Sequence, residues 1–301
     1  MTLSLENIQQ WALECGFEQS GIASVDVLTE ERQRLDAWLA SSRNGTMRYM
    51  ANNVDVRTDP RQLFSEVRSV VVVLANYYPA ERQPTGQPRI ATYAYGQDYH
   101  YVVRSRLNRL AEIIHSHTPH QWRVFADSAP IFERAWAVRA GLGWIGRSGM
   151  LVNQHLGTYS LIGVMLTSLQ LPQSRPIVPR CGKCHRCIDA CPTAAIVVGE
   201  PIDARRCLSY LTIEHREPLA DEFLRAAADT LYGCDRCLEV CPWNRFAHPS
   251  TIPEFAPIEG LFAVDWATIG RGAFDRLLRL SPMQRAGYKK INIRALQLFN
   301  L

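Results

Sequence analysis

Through its first 170 residues the chain alternates between a helical and a strand-like hydrophobic period. Ile8, Trp11, Ala12 and Cys15 fall on one helical face, and Gly16 can end that helix. "SVVVVLANYY", from Ser69, predicts a buried strand by its β-branched run. Leu107, Leu110, Ile113 and Ile114 mark a further helix, and "WRVFA" from Trp122 alternates like a strand. A helix is expected from Pro130 to Ala140, then the glycine-rich "AGLGWIGRSG" and the strand-like "YSLIGVMLTSL" from Tyr159. The succession predicts an α/β (α+β) layered domain over residues 1–170. "LPQSRPIVPR", with three prolines, reads as a linker into a second domain, residues 171–250, and a basic helical segment, 251–301, follows.

Composition supports this division. At 301 residues, about two domains are expected. The N-terminus has neither a basic leader nor an apolar core, and the longest apolar run, Val70 to Ala75, is too short to cross a bilayer. The chain reads as a cytoplasmic protein without membrane association, and a monomer is expected. Nine cysteines in a reducing compartment favour metal ligation over disulfides.

Eight of the nine are patterned. Cys181, Cys184, Cys187 and Cys191-Pro192 are echoed by Cys207, Cys234, Cys237 and Cys241-Pro242, with a 26-residue insert, expected to be helical, inside the second set. Three thiolates two residues apart can wrap one corner of an iron–sulfur cube, and in two-cluster ferredoxins the fourth cysteine ligates the other cube. Carried over, one [4Fe–4S] cluster takes Cys181, Cys184, Cys187 and Cys241, and the second takes Cys191, Cys207, Cys234 and Cys237. Two tetrahedral zinc sites are the plain alternative, but zinc does not need the doubled C-x-x-x-C-P. Cys15 reads as a core thiol. Adjacent clusters move single electrons, so an external low-potential donor is implied. A carrier alone has no need of a large domain in front, so the electrons are expected to be used there.

The net charge of +4 is unevenly spread: residues 271–301 hold seven cations and one acid, leaving −2 for the remainder. Such a segment is either a solvated helix face or a contact for a phosphate-rich partner.

"ADSAPIFERAWA" (Ala126–Ala137), "RAGLGWIGRSGMLVN" (Arg139–Asn153), "CLSYLTIEHRE" (Cys207–Glu217) and "YGCDRCLEVCPWNRFA" (Tyr232–Ala247) resemble epoxyqueuosine reductase, the cobalamin-dependent iron–sulfur enzyme of the last step of queuosine synthesis in tRNA. The resemblance runs from about residue 5 to the end and implies a cobalamin-binding first domain. It places Arg57, Tyr95, Ser148, Leu151 and Ile162 at the corrinoid and the proton donor at Asp127. With tRNA as the substrate the resemblance implies, the basic segment, with Arg285, Lys289 and Lys290, is expected to hold the anticodon stem-loop through phosphate contacts. Arg147-Ser148 stands where the family usually has Lys-Asn. Without the resemblance, Asp127, between a strand and a helix, reads as a helix cap. As a proton donor it is expected to need burial that raises its pKa. The rival enzyme is a corrinoid reductive dehalogenase; the rival class is a non-catalytic electron carrier.

The histidines of "HSHTPH", His100 and His155 read as surface, packing or substrate-shell residues. Gly141-Leu-Gly-Trp-Ile-Gly146 follows a helix, which argues against a dinucleotide site.

Overall fold

The computed structural model describes residues 3–299. The first part comprises α1 (Leu5–Glu14), β1 (Gln19–Ser24), α2 (Thr29–Ala40), α3 (Val54–Thr58), β2 (Ser69–Asn76) and β3 (Arg89–Ile90). It continues through α4 (Tyr99–His117), β4 (Trp122–Phe125), α5 (Glu133–Arg139), the hairpin β5 (Trp144–Ile145) and β6 (Leu151–Val152), and β7 (Ser160–Thr167). The cysteine-rich part holds α6 (Arg186–Asp189), α7 (Leu208–Ile213), α8 (Asp221–Leu224), β8 (Thr230–Tyr232) and α9 (Arg236–Glu239). Helices α10 (Arg271–Leu277) and α11 (Gly287–Phe299) follow.

Strand β2 is buried at every position because both of its faces are covered. It lies inside a four-stranded sheet of order β1-β2-β7-β4, antiparallel at every pairing. Val71, Val73 and Ala75 face a core shared with Ile8 and Ala12 of α1 and with Val103, Leu107 and Leu110 of α4. Val70, Val72 and Leu74 face a second core with Trp136 and Ala137 of α5. Period-two alternation is therefore present in the side-chain directions but invisible in the residue types, the pattern of a strand buried on both sides. Gly16 closes α1 with φ of 87°, in the left-handed region a glycine occupies freely.

The proline-rich segment after β7 is docked rather than free. Ser174 N donates to Ile22 O at 2.8 Å, and Ile22 N donates to Ser174 Oγ at 2.9 Å, so the segment runs along the exposed edge of β1. Further on, β8 pairs in parallel with β3. Ile90, Ala94 and Tyr95 share a third core with Leu231, Trp266, Phe274, Met283, Ile291 and Ala295. The basic segment expected as a tail is thus packed on both preceding parts. Its Arg294 is 3% exposed and donates to the carbonyls of Thr230 (2.9 Å) and Ala227.

Gly21 fixes how α5 sits on the sheet, because a Cβ there would lie 2.1 Å from Ala140 O at the end of that helix. Gly21→Ala is expected to cost about 1–3 kcal/mol by forcing the helix off β1. A lower Tm in anaerobic thermal unfolding would show it, and an unchanged Tm would disprove the contact.

Candidate active site and cluster-binding region

Asp127 stands two residues beyond the last ladder pair of β4 with β7, Phe125 with Val164, and so at the level of Ile162. Its φ is 58°, a left-handed conformation that aspartate tolerates better than most residues and that turns the side chain out of the strand direction. It does not cap a helix: α5 begins six residues later, with Phe132 at its N-cap. The carboxylate is instead gripped from α4. Tyr99 Oη donates to Oδ2 at 2.6 Å, and His100 Nε2 lies 3.0 Å from the same oxygen. The two rings stack with centroids 4.1 Å apart. Asp98 caps α4 by accepting from His100 N and holds His100 Nδ1 at 2.6 Å, which fixes the imidazole between two carboxylates. Below, Asp127 N donates to Glu133 Oε1 at 2.7 Å.

These contacts set the charges. Partial desolvation opposes charge on the half-exposed Asp127 carboxyl, but the hydrogen bonds from His100 and Tyr99 outweigh it and hold the group at about 2. Burial opposes charge on His100, yet its bonds to Asp127 and Asp98 raise it to about 9. Burial, then the Asp127 charge, pushes Glu133 up to about 7. The expectation that Asp127 itself would be a carboxyl with a raised pKa is therefore corrected. At neutral pH Asp127 is ionised and the proton resides on His100, a residue whose sequence context offered only a packing or substrate-shell role.

The residues expected at a corrinoid separate into two groups. Arg57 is held by the carbonyls of Tyr49 (2.9 Å) and Asn52 (3.3 Å), and its charge is felt at Tyr49, as is that of Asp127. Ser148 lies buried in the turn between β5 and β6, and Ile162 is partly open on β7. Tyr95 does not belong with them, and Leu151 is buried in the core that Ile162 borders. Tyr95 is 4% exposed, edge-on to Phe262 at 5.0 Å in the third core, and Leu151 is 3% exposed in the second core. Their apolar side chains are consumed by packing. The first three residues of β7, Ser160, Leu161 and Ile162, remain partly uncovered although the strand is central, and the Ser160 hydroxyl is buried without a hydrogen-bond partner. A partly uncovered strand end with an orphaned polar atom beside the Asp127 carboxylate suits a large bound group.

The cysteines gather as two interleaved sets. Burial, then the neighbouring Cys181, Cys187 and Cys184, pushes the Cys241 thiol up. Burial, then Cys234, Cys207, Asp235 and Cys191, does the same to Cys237. Burial lifts Cys234 to about 11, and the Cys207 thiol contributes. Cys241 thus sits with the first motif and Cys191 with the second. Trp144 Nε1 donates to Cys181 Sγ at 3.3 Å, tying the hairpin of Ser148 to the first set.

Residues far apart in sequence also meet near Asp127. Arg285 pairs with Glu214 (2.6 Å) and lies 6.0 Å over the Tyr49 ring, and its charge helps lower Asp127. Lys289 is exposed. Lys290 is turned inward, with Nζ donating to the carbonyls of Leu211 (2.9 Å) and His215, and burial lowers it to about 8. The expectation that Lys290 faces RNA is corrected: its ammonium closes the end of α7.

The charge knot has a defined pH signature. His100 is raised in the folded protein, so its contribution is complete below about pH 6.5 and is lost as pH rises through about 9. Asp127 is lowered, so its contribution is present above about pH 3.8 and is lost as pH falls through about 2. The stability gap between wild type and His100→Gln should therefore be widest near pH 4–6.5 and close toward pH 9. Denaturant titrations over pH check this, and a gap constant with pH would refute the pairing.

Residues 57–128 match the family model described as "Epoxyqueuosine reductase QueG, DUF1730", and residues 180–244, which span all eight patterned cysteines, match a "4Fe-4S double cluster binding domain". An epoxyqueuosine reductase of Leadbetterella byssophila is 43% identical over 93% of this chain and 93% of its own length. That of Escherichia coli is 37% identical over 94% of this chain and 77% of its own. A solved epoxyqueuosine reductase with an epoxyqueuosine-modified tRNA-Tyr stem loop overlays with a TM-score of 0.87 at 27% identity, covering 98% of this chain and 80% of that one. A Bacillus subtilis epoxyqueuosine reductase, described with its catalytic aspartate loop swung out of the active site, overlays at 0.86. A catabolic reductive dehalogenase, at 16% identity and a TM-score of 0.50, shares the fold alone. Among the described residues no helix is long and apolar enough to cross a membrane. With its double-cluster domain and its 37–43% identity to curated relatives over most of their length, the chain belongs to the epoxyqueuosine reductase family.

Proposed function

We propose that the protein reduces epoxyqueuosine to queuosine in the tRNA anticodon loop, with cobalamin at the uncovered start of β7 and two [4Fe–4S] clusters on the interleaved cysteines. The observation that carries this reading is the Asp127 carboxylate, pinned by Tyr99 and His100 beside the uncovered start of the central strand. Arg57, Ser148 and Ile162 would hold the corrinoid. Bound cobalamin supplies reducing electrons at the epoxide, drawn through the clusters from an external low-potential donor. Removing an epoxide oxygen to leave an alkene takes two electrons and two protons and releases water. His100 stores one proton at Nε2, 3.0 Å from Asp127 Oδ2, and Asp127 orients that proton toward the departing oxygen. Glu133, uncharged for part of the time near neutrality, holds the Asp127 loop by its backbone N–H. The protein acts as a monomer in the cytoplasm, where its tRNA substrate is found.

Asp127→Asn keeps the backbone and the size but cannot take a proton from His100. Turnover should fall by about 10² to 10⁴-fold with cluster and cobalamin spectra intact. Cells lacking the protein should accumulate epoxyqueuosine in their tRNA. Full activity of the Asn variant would remove Asp127 from the chemistry, and normal queuosine levels in the deleted strain would remove the substrate assignment.

For the RNA itself, Arg285 and Lys289 are the cations placed to reach phosphate. Arg285→Ala and Lys289→Ala should each reduce the slope of log affinity against log salt by roughly 0.7 to 0.9. Lys290→Ala should lower stability and leave the slope unchanged, because its ammonium already serves two backbone carbonyls. Filter binding of a modified stem-loop at several salt concentrations distinguishes these outcomes.

A further inference from the structure

The surface around the first cysteine motif carries an unbalanced positive charge. Arg180, Lys183 and Arg186 are exposed beside Cys181, Cys184 and Cys187. Arg147, exposed in the β5–β6 turn, donates from Nη2 to Gly182 O at 2.9 Å. Arg245 is exposed over the rings of Trp243 (5.7 Å) and Phe246 (4.6 Å), and Trp243 packs edge-on against Trp144 beside Cys181. Among the described residues none of these five cations forms an ion pair. The motif's one acid, Asp189, is engaged by His185 at 2.8 Å. Exposed apolar groups lie among the charges: Val178 (76%), Phe246 (45%) and Ile145 (42%).

Neutralising the cluster's own negative charge does not account for this rim. The second motif repeats the same cysteines but reads Cys234-Asp235-Arg236-Cys237-Leu238-Glu239, with two acids and one cation. Arg236 pairs with Asp229, Glu239 takes Arg89 at 2.6 Å, and Asp235 accepts from Thr92 N (2.6 Å) and Oγ1 (2.8 Å). Burial dominates at Cys207, Cys234 and Cys237, and Cys207 and Cys234 border the apolar cluster of Leu208, Tyr210 and Leu211. Compensation is needed most where water is excluded, yet the free cations surround the shallower site.

We propose that this rim is the docking surface for an acidic, low-potential one-electron carrier protein that reduces the first cluster. The inference rests on the two-cluster reductase reading above. In each encounter the carrier would be oxidised by one electron, and the cluster that Cys181, Cys184, Cys187 and Cys241 would hold would accept it. Two encounters and two protons account for one epoxide converted to an alkene and water. Charge complementarity steers such an encounter and speeds association without demanding a large interface.

The test uses the reconstituted holoprotein and a reduced acidic [2Fe–2S] ferredoxin. In Lys183→Glu/Arg186→Glu, the second-order rate of cluster reduction at low ionic strength should drop by about ten- to a hundredfold, and its salt dependence should flatten. Calorimetric binding of oxidised ferredoxin should weaken in parallel. Reduction by the small viologen radical cation, and turnover driven by it, should be unchanged or faster. Arg245→Glu, outside both ligand loops, should show the same selectivity if the double variant fails to hold its iron. Ferredoxin rates equal to wild type in variants with full iron content would overturn the proposal. So would loss of stem-loop affinity with carrier rates intact, because the rim would then be an RNA surface. None of these readouts requires epoxyqueuosine, so a wrong substrate assignment would leave them standing.

Discussion

The crossing of two cysteines organises the molecule. Cys241 returns to the thiols of the first motif, and Cys191 crosses to those of the second, so neither site can form until the chain between residues 181 and 241 has folded back on itself. That closure brings β8 against β3 in parallel, and the pairing creates the third core on which residues 251–299 pack. From there Arg285 and Glu214 reach the neighbourhood of Tyr49 and Asp127. A metal-ligand constraint at one end thus helps to shape the opening of the catalytic site at the other.

Much of this was legible in the residues. Strand β2, helix α4 and strand β7 follow from long, strongly periodic apolar patterns, and the cysteine spacing carries its own crossing rule. The illegible parts have a common physical cause, which is that position in sequence does not report position in space. The basic segment looked remote from every proposed ligand, yet Arg285 perturbs Asp127 while Arg294 and Lys290 spend their charge on buried carbonyls. Tyr95 sits in a stretch the family resemblance placed at the corrinoid, but its ring is claimed by Phe262. The left-handed φ at Asp127, which separates it from the capping role its neighbours suggest, leaves no mark in the residue types around it.

The arrangement of the two clusters complements this. Acid residues and apolar packing surround the second site, and free cations surround the first. Low dielectric and nearby negative charge disfavour adding an electron, whereas surface cations favour it. On the proposed reading, a cluster held by the first set would be the easier to reduce from outside.

His100 supplies the corresponding logic for protons. A carboxylic acid kept neutral by burial would have to be shielded from nearby cations such as Arg285. Splitting the task removes that conflict. In the proposed reaction Asp127 stays ionised and orients the proton, while His100, braced by Asp98 on its other nitrogen, stores it. When negative charge develops on the departing oxygen next to Asp127, the carboxylate is destabilised by the like charge and its affinity for the imidazole proton rises. The event that requires a proton is then the event that draws it from His100, and the resting enzyme keeps both groups charged until the substrate oxygen arrives.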